Sequence, residues 1–263
     1  MYNAVRLLCT NHLSGRVLNL SSLQTFIKTV LCYCTAALAI TASSVGAQTL
    51  NIASQDIYIT KICEAIVSEA LATIDIKTNV SRFPTARGAI LSNSGNTDGE
   101  ICRIKEFDKS YQNLIRIEPS IAMLEAAVFT NDINIPIETN NWQALKPYIL
   151  GTHIGHLFVE NATQGFDKTV RLVTDEQLVK MLASKRLEAV VMIKPDALKV
   201  IKELGLANKV TMLEPVIASY PLHFFIHKKN ARLETNISKA IKNIVDSGRA
   251  ATIYQNFIAK LAH

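Results

Sequence analysis

Arg103 and Arg87 are the side chains best suited to hold an anionic group. A guanidinium stays charged and can bind a carboxylate through two parallel hydrogen bonds. Arg103 lies at the end of a predicted strand, and Arg87 follows Pro84 in the first turns of a predicted helix. Two other roles stay open: Arg103 as a surface or inter-strand residue, and Arg87 as a partner of Asp98 or Glu100.

An acid and an aromatic ring follow the first predicted strand. Asp56 and Tyr58 could meet an ammonium group and an apolar group of a bound molecule. Asp56 could instead cap the helix that follows, because an aspartate at a helix start accepts a free backbone N–H.

A third group of candidates lies in the second half of the chain. Thr152, Gly155 and His156 follow a predicted strand and precede a predicted helix. The free N–H groups and the dipole at a helix start favour an anion there. This expectation depends on the backbone more than on the side-chain types.

Two pairs of histidines have spacings that zinc sites use. His153 and His156 are three residues apart, and His223 and His227 are four apart. A zinc site needs a third protein ligand, and no H-E-x-x-H or cysteine pattern supplies one. We predict no metal site, with His223 and His227 at the two ends of a strand and one of them turned inward.

Motifs of the common catalytic classes are missing from the sequence. It contains no G-x-S-x-G elbow, no glycine-rich phosphate loop and no paired-carboxylate motif. We therefore expect no catalytic residue and no cofactor, although catalytic groups can meet in space without a sequence motif.

The N-terminal 47 residues have the pattern of an export signal. They carry three basic residues and no acid, and the run Thr29 to Ala42 is uncharged and mostly apolar. Small residues follow, which predicts cleavage between Ala47 and Gln48. A permanent anchor is the alternative, but it needs about 20 apolar residues. We predict a periplasmic protein that is not embedded in the membrane once it is processed.

Without this segment the charge balance is close to neutral. The remaining 216 residues carry 25 Lys+Arg and 22 Asp+Glu, a net charge of +3. A nucleic-acid-binding protein needs a concentrated basic face, which scattered lysines do not provide. The length suits one large domain or two small lobes.

Cys63 and Cys102 are the two cysteines that remain after cleavage. An even number of cysteines in an oxidising compartment is compatible with a disulfide. Two buried free thiols are the alternative, since a thiol packs as a small hydrophobic group.

The apolar periodicity alternates between strand and helix along the rest of the chain. Predicted strands lie near residues 50–53, 74–80, 99–104, 115–117, 123–129, 148–151, 187–193 and 223–227. Predicted helices lie near 59–71, 84–93, 174–182, 233–245 and 254–261. Thr174 and Gln177 form a predicted capping box at the start of the third helix.

This alternation predicts an α/β protein with mostly parallel sheets covered by helices. We expect two lobes, each a mostly parallel sheet flanked by helices, in place of one wide sheet. Ligands of such sheets bind beyond the carboxyl ends of the strands. Two lobes built in this way would face each other across a cleft.

Several segments, in the same order along the chain, resemble family 3 extracellular solute-binding proteins. Residues 83–103 resemble the family's P-x-x-R … G-x-x-D-G-x-x-x-R segment, and Trp142–Leu145 resembles its W-x-x-L sequence. Residues 151–155 resemble its G-x-x-x-G turn, and 178–191 resemble its L-x-x-G-R-x-D-x-x-V pattern. The family's S-x-T-x-x-R segment has no counterpart after Asp98.

The resemblance implies a two-lobed, type 2 periplasmic binding fold. We assign 48–134 with 220–263 to lobe I, and 135–219 to lobe II. It also implies a monomer that captures a small polar or anionic, amino-acid-like metabolite for an ABC permease. Two alternatives remain: a sensor acting on a membrane partner, and a lyase for small acids that would use Glu100, Glu118 or Asp56.

Overall fold

The computed structural model describes residues 48–131 and 134–262. The predicted signal peptide, residues 1–47, lies outside the described residues. A search of the described helices finds none whose length and apolar character would let it cross a bilayer.

Strands and helices alternate along the described chain. The strands are β1 (Gln48–Ser54), β2 (Ile76–Arg82), β3 (Gly99–Ile104), β4 (Leu114–Arg116), β5 (Ala122–Thr130), β6 (Leu150–His153), β7 (Thr169–Leu172), β8 (Ala189–Ile193), β9 (Thr211–Met212) and β10 (Ala218–His227). The α-helices are α1 (Tyr58–Ala72), α2 (Thr85–Asn93), α3 (Phe107–Ser110), α4 (Leu157–Ala162), α5 (Asp175–Ala183), α6 (Lys194–Glu203), α7 (Glu234–Asp246) and α8 (Arg249–Ala262). Trp142–Leu145 and Lys228–Leu233 are 3-10 helices.

The sheet contains two parallel groups of strands. Its order is β2-β1-β3-β10-β5-β8-β6-β7, with β4 paired to β10 and β9 paired to β5. β1, β2 and β3 are mutually parallel, and so are β6, β7 and β8. β10 runs antiparallel to β3 of the first group, β5 runs antiparallel to β8 of the second group, and β5 and β10 run antiparallel to each other. The prediction of mostly parallel α/β sheets is confirmed, but the two groups belong to one continuous hydrogen-bonded sheet.

Each parallel group packs against its own helices. The first core contains the apolar face of α1, predicted from its spacing, together with residues of β1, β3, α7 and α8. The second group is covered on both faces, and all five residues of β8 are buried. A parallel strand buried on both faces reads as a continuous apolar run, and β8 has such a run.

Two long strands pass from one core to the other. In β5, Leu124 belongs to the first core and Ala126 to the second. In β10, Ala218 belongs to the second core and Leu222 to the first. We therefore propose a first lobe of 48–124 with 222–262 and a second lobe of 126–218. In this division the predicted lobe boundary at residue 220 stays within β10. The first boundary, predicted at residue 134, moves into β5.

Most predicted elements are present with small shifts at their ends. The third strand has the predicted bounds, whereas the strand expected at Tyr148 begins at Leu150. Thr174 Oγ1 accepts the Gln177 N–H at 3.2 Å, which is one half of the predicted capping box. Helix α2 ends before Gly95, because Gly95 has a φ of +79°, a conformation that favours glycine.

A disulfide joins Cys63 in α1 to Cys102 in β3, with 6.0 Å between the two Cα atoms. Both residues are buried in the first core. The bridge fixes the helix to the strand that carries Arg103.

Candidate functional site

The two lobes meet through the carboxylate of Asp196. This residue lies in the first turn of α6, directly after β8, and its side chain accepts the backbone N–H of Tyr58 and that of Ile59 at 3.2 Å. The residue that precedes α1 is Ile57, which has no side-chain oxygen for capping. Asp196 of the second lobe therefore supplies the cap for the helix of the first lobe.

Burial governs the charge of Asp196, which is 6% exposed. Its desolvation raises the pKa to about 7, while the two N–H groups and Lys199 act to lower it. The charge of Asp175 raises the pKa further. Asp175 therefore lies near enough to sense Asp196 electrostatically.

The predicted residues of the first lobe have different surroundings. Asp56 is exposed and pairs with Lys61 at 3.4 Å, so it does not cap α1. The Tyr58 ring packs edge-on against Phe257 at 5.9 Å, and its hydroxyl donates to the Phe257 carbonyl at 3.2 Å. Tyr58 thus contacts the C-terminal helix through its ring and the second lobe through its backbone.

A depression of about 400 Å³ lies beyond the carboxyl ends of β1 and β2 in the first lobe. It is lined by Gln55, Asp56, Ile57, Arg82, Phe83, Pro84 and Thr85. Sequence reasoning missed Arg82, although its place at the end of β2 could have indicated it. The Arg82 guanidinium pairs with Glu64 and donates to Ser54 Oγ at 2.9 Å.

Arg103 is buried beside this depression and is already paired. Its Nε donates to Glu100 Oε1 at 2.6 Å, and its Nη2 donates to the Thr85 carbonyl at 3.1 Å. The guanidinium lies over the Phe107 ring at 4.8 Å, and the Gln55 amide oxygen can accept from it once oriented toward it. The described partners of Arg103 thus all belong to the first lobe, and a role in ligand binding stays a prediction.

Glu100, its partner, is fully buried. Burial raises the pKa of this carboxyl, and the nearby Arg103 charge opposes that shift. Glu100 Oε2 receives no hydrogen bond from the described part of the protein. Separating a buried pair of this kind would leave a charge without a partner inside the protein. We therefore expect Glu100 and Arg103 to stay paired with each other.

Arg87 is exposed on α2, with its guanidinium 5.9 Å from the centre of the Phe83 ring. Both acids proposed as its local partners have other contacts. Asp98 pairs with Lys229 at 3.0 Å and accepts the Asn51 N–H at 2.8 Å, and Glu100 pairs with Arg103. Arg87 is thus exposed, whereas Arg103 is buried.

His156 directly precedes α4, Gly155 comes before it, and Thr152 lies in β6. One N–H group before this helix is occupied, because Gly155 donates to Glu160 Oε1 at 2.6 Å. The rings of His153 and His156 stack with 4.5 Å between their centres. Burial, with a smaller effect from His153, lowers the pKa of His156 to about 4, so its imidazole is neutral near pH 7.

Some buried polar atoms of the second lobe have no hydrogen-bond partner in the described protein. Thr152 Oγ1, His156 Nδ1 and Asp175 Oδ1 are among them. Asp175 begins α5, its pKa is raised by burial, and the nearby His153 opposes the rise. Sequence reasoning missed Asp175, although it follows the end of a parallel strand.

Among residues 48–131 and 134–262, no group of three histidine, cysteine or acidic side chains could hold a metal ion. The inward histidine is His223, which is 4% exposed and lies 3.2 Å from the Ile117 carbonyl through Nδ1.

Comparisons with known proteins address the fold. The structure is similar to the ligand-binding core of GluR0 in complex with L-glutamate (TM-score 0.65, 13% identity, 82% of this chain and 99% of that chain). It is similar to a histidine kinase sensor domain resembling periplasmic binding proteins (TM-score 0.64, 14% identity, 81% and 96%). It is also similar to an ancestral arginine-binding protein bound to arginine (TM-score 0.63, 16% identity, 81% and 99%). The chain has the two-lobed fold of periplasmic binding proteins.

Sequence comparison adds one short match. An uncharacterized protein of Shewanella oneidensis is 32% identical over 85 residues, which span 32% of this chain and 31% of that protein. No protein-family model matches the chain.

Proposed function

We propose that this chain is a periplasmic solute-binding protein that encloses a small, polar, amino-acid-like metabolite between its lobes and delivers it to an ABC permease. The observation that carries the proposal is the contact of Asp196 with the start of α1, at the carboxyl ends of β8 and β1. The two lobes are joined by two strands, and their polar groups meet at these strand ends. A solute held between the lobes would lie there.

The comparisons support a ligand-binding role in a general way. Proteins of this fold include one bound to arginine and one in complex with L-glutamate. Here Arg82, which lines the first-lobe depression, is paired with Glu64, and Arg103 is paired with Glu100, so a ligand could use either arginine only by breaking its present pair. The seven predicted ligand residues divide between the lobes, with Asp56, Tyr58, Arg87 and Arg103 on the first and Thr152, Gly155 and His156 on the second.

Native mass spectrometry of protein purified from the periplasm tests this proposal. We expect a chain that lacks residues 1–47 and carries a retained small molecule. Small-angle scattering before and after removal of that molecule should show a larger radius of gyration for the empty protein, because a ligand shifts the population toward the closed form. No retained solute, no thermal shift in a metabolite screen and unchanged scattering would together contradict the proposal.

A sensor in the same compartment is the second candidate. Its support is the similarity to a histidine kinase sensor domain, which shares the fold across 81% of this chain. Crosslinking in intact cells, followed by mass spectrometry of the membrane fraction, separates the two roles. A permease as the captured partner favours uptake, whereas a signalling protein favours sensing.

A further inference from the structure

Helix α6 of the second lobe packs against α1 and α8 of the first lobe. The carboxylate of Asp196 accepts the N–H groups of Tyr58 and Ile59, and Lys202 Nζ donates to the Lys260 carbonyl at 2.6 Å. These bonds connect the two lobes outside the strands β5 and β10. Any movement that separates α6 from the first lobe must therefore break them.

The burial of Asp196 depends on this contact. The side chain is buried, and both N–H groups that it accepts belong to the first lobe. If the lobes separate, the carboxylate meets water, and α1 is left without a side-chain cap, because Ile57 cannot supply one. Asp196 therefore has one environment when the lobes are in contact and a different one when they are apart.

The groups of the second lobe that face Asp196 supply little free positive charge. Burial raises the pKa of Asp196, and Lys199, one turn further along α6, acts to lower it. Lys199 pairs with Glu203 at 2.6 Å, so its charge is shared. Asp175 of α5 faces Asp196 with a charge of the same sign and raises its pKa further.

The first lobe and the connecting strand β5 contribute phenols and an acid. Burial raises the pKa of Tyr58 in α1 and that of Tyr254 in α8, and the Asp196 charge adds to both shifts. The Tyr254 hydroxyl donates to Glu125 Oε2 of β5 at 3.3 Å, and Lys194 in the first turn of α6 pairs with the same carboxylate at 3.4 Å. Lys194 thus has an acidic partner of its own.

We propose that Asp196 is a proton-coupled latch between the lobes: closing buries its carboxyl group against the start of α1 and takes up a proton from solvent, so that acid favours the closed form; this inference rests on the proposed function. A carboxyl group that is buried without a matched cation is favoured in its neutral form. Its carbonyl oxygen still accepts an N–H when the group is protonated.

The direction of the coupling follows from the two environments of Asp196. The pKa is about 7 in the contact, compared with about 4 for an aspartate in water. The contribution of this group to closure is therefore complete below about pH 4, and it is lost as pH rises through about 7. A solute held between the lobes would be bound more tightly in acid by the same factor.

The distance between the two outermost strands of the sheet, β2 and β7, measures closure without any ligand. Lys77→Cys with Arg171→Cys places one spin label on each strand at an exposed position, while the native cysteines stay in their disulfide. Protein freed of solute by dialysis in denaturant is refolded and studied by double electron–electron resonance. We expect the ratio of short to long distances to fall about tenfold or more between about pH 5 and about pH 8.

Asp196→Asn keeps the side chain neutral, so its ratio of short to long distances should change less than about twofold over the same range. Asp167→Asn is the matched control, because it makes the same change at an exposed acid of the second lobe and should respond to pH like the wild type. Comparing these proteins also removes the contribution of other titrating groups, such as His156. Distances that do not change with pH in the wild type, or that change equally in Asp196→Asn, would overturn the inference.

The native mass spectrum separates the latch from the proposed function. A retained solute together with distances that ignore pH removes the latch and leaves the proposed function standing. Distances that follow pH through Asp196, without a retained solute, support the latch and count against solute binding. The absence of both overturns the proposed function together with the inference.

Discussion

The carboxylate of Asp196 accepts the backbone N–H of Tyr58, although the two residues are 138 positions apart in the chain. One belongs to the second lobe and the other begins the first helix of the first lobe. A single side chain therefore serves both as a helix cap and as a contact between the lobes, and its removal should change stability and lobe contact together.

Asp196→Ala removes this cap. We expect a loss of about 1–2 kcal/mol in the free energy of unfolding, the usual effect of losing a helix cap. We also expect faster hydrogen exchange at the amides of Tyr58 and Ile59. Chemical denaturation and hydrogen exchange measure the two effects, with Asp167→Ala, an exposed acid of the second lobe, as the control. Unchanged exchange at both amides would contradict the capping role.

Asp196→Asn tests the pH dependence. The pKa of Asp196 is raised to about 7 in the folded chain, above the value of about 4 expected when unfolded. The folded state therefore holds the proton more tightly, and this residue contributes less stability as pH rises through that interval. Between about pH 5 and about pH 8, the wild type should lose about 2 kcal/mol more than Asp196→Asn.

Comparing the two proteins at each pH cancels the contribution of His156. The lowered pKa of that histidine acts in the opposite sense, because its stabilisation is lost as pH falls from about 6.5 toward about 4. Parallel stability profiles for the wild type and Asp196→Asn would argue against a titrating Asp196.

Glu100→Gln leaves the Arg103 charge buried without its partner. Breaking a buried pair from one side costs about 3–5 kcal/mol. The double variant Glu100→Gln with Arg103→Met should recover part of that loss, because it removes the uncompensated charge and keeps an apolar chain over Phe107. Equilibrium unfolding of the single and double variants measures this coupling.

Glu64→Gln provides the comparison for this pair. It removes the partner of Arg82, which is about one-third exposed, and an exposed pair contributes about 0–1 kcal/mol. Equal losses for Glu64→Gln and Glu100→Gln would contradict the importance of burial.

The Cys63–Cys102 disulfide closes a sequence separation of 39 residues. Constraining the unfolded chain over a loop of this length stabilises the fold by about 3–4 kcal/mol. Cys63→Ser with Cys102→Ser should lower the free energy of unfolding by about that amount. Wild-type protein should also melt at a lower temperature in reductant, whereas the double variant should melt identically with and without it.

Local pattern was sufficient for the elements of the fold and insufficient for the pairing of charges. Apolar spacing placed one face of α1, because Ile59, Ile62 and Ile66 recur at helical intervals and all become buried. Strand β8 was recognisable because a strand covered on both faces needs a continuous apolar run.

The site depends on partners that are distant in sequence. Nothing near Asp196 indicates that it caps α1, and the one local signal is that Ile57 cannot cap its own helix. Arg103 was expected at the cleft, but the sequence does not show that Glu100, three residues earlier, holds it inside the protein. Asp175 was passed over because an acid in the first turn of a helix is ordinary.

The connection between the lobes is a two-stranded antiparallel segment, because β5 and β10 pair with each other from Ala122 with Leu222 to Ala126 with Ala218. Pro221, which pairs with Met123 in this segment, has no backbone N–H. A two-stranded segment of this kind bends out of its plane more easily than its two strands slide past each other. An added residue in either strand would shift the pairing of every residue beyond it and turn inward-facing side chains outward. The length of these two strands is therefore under tighter constraint than the identity of their side chains.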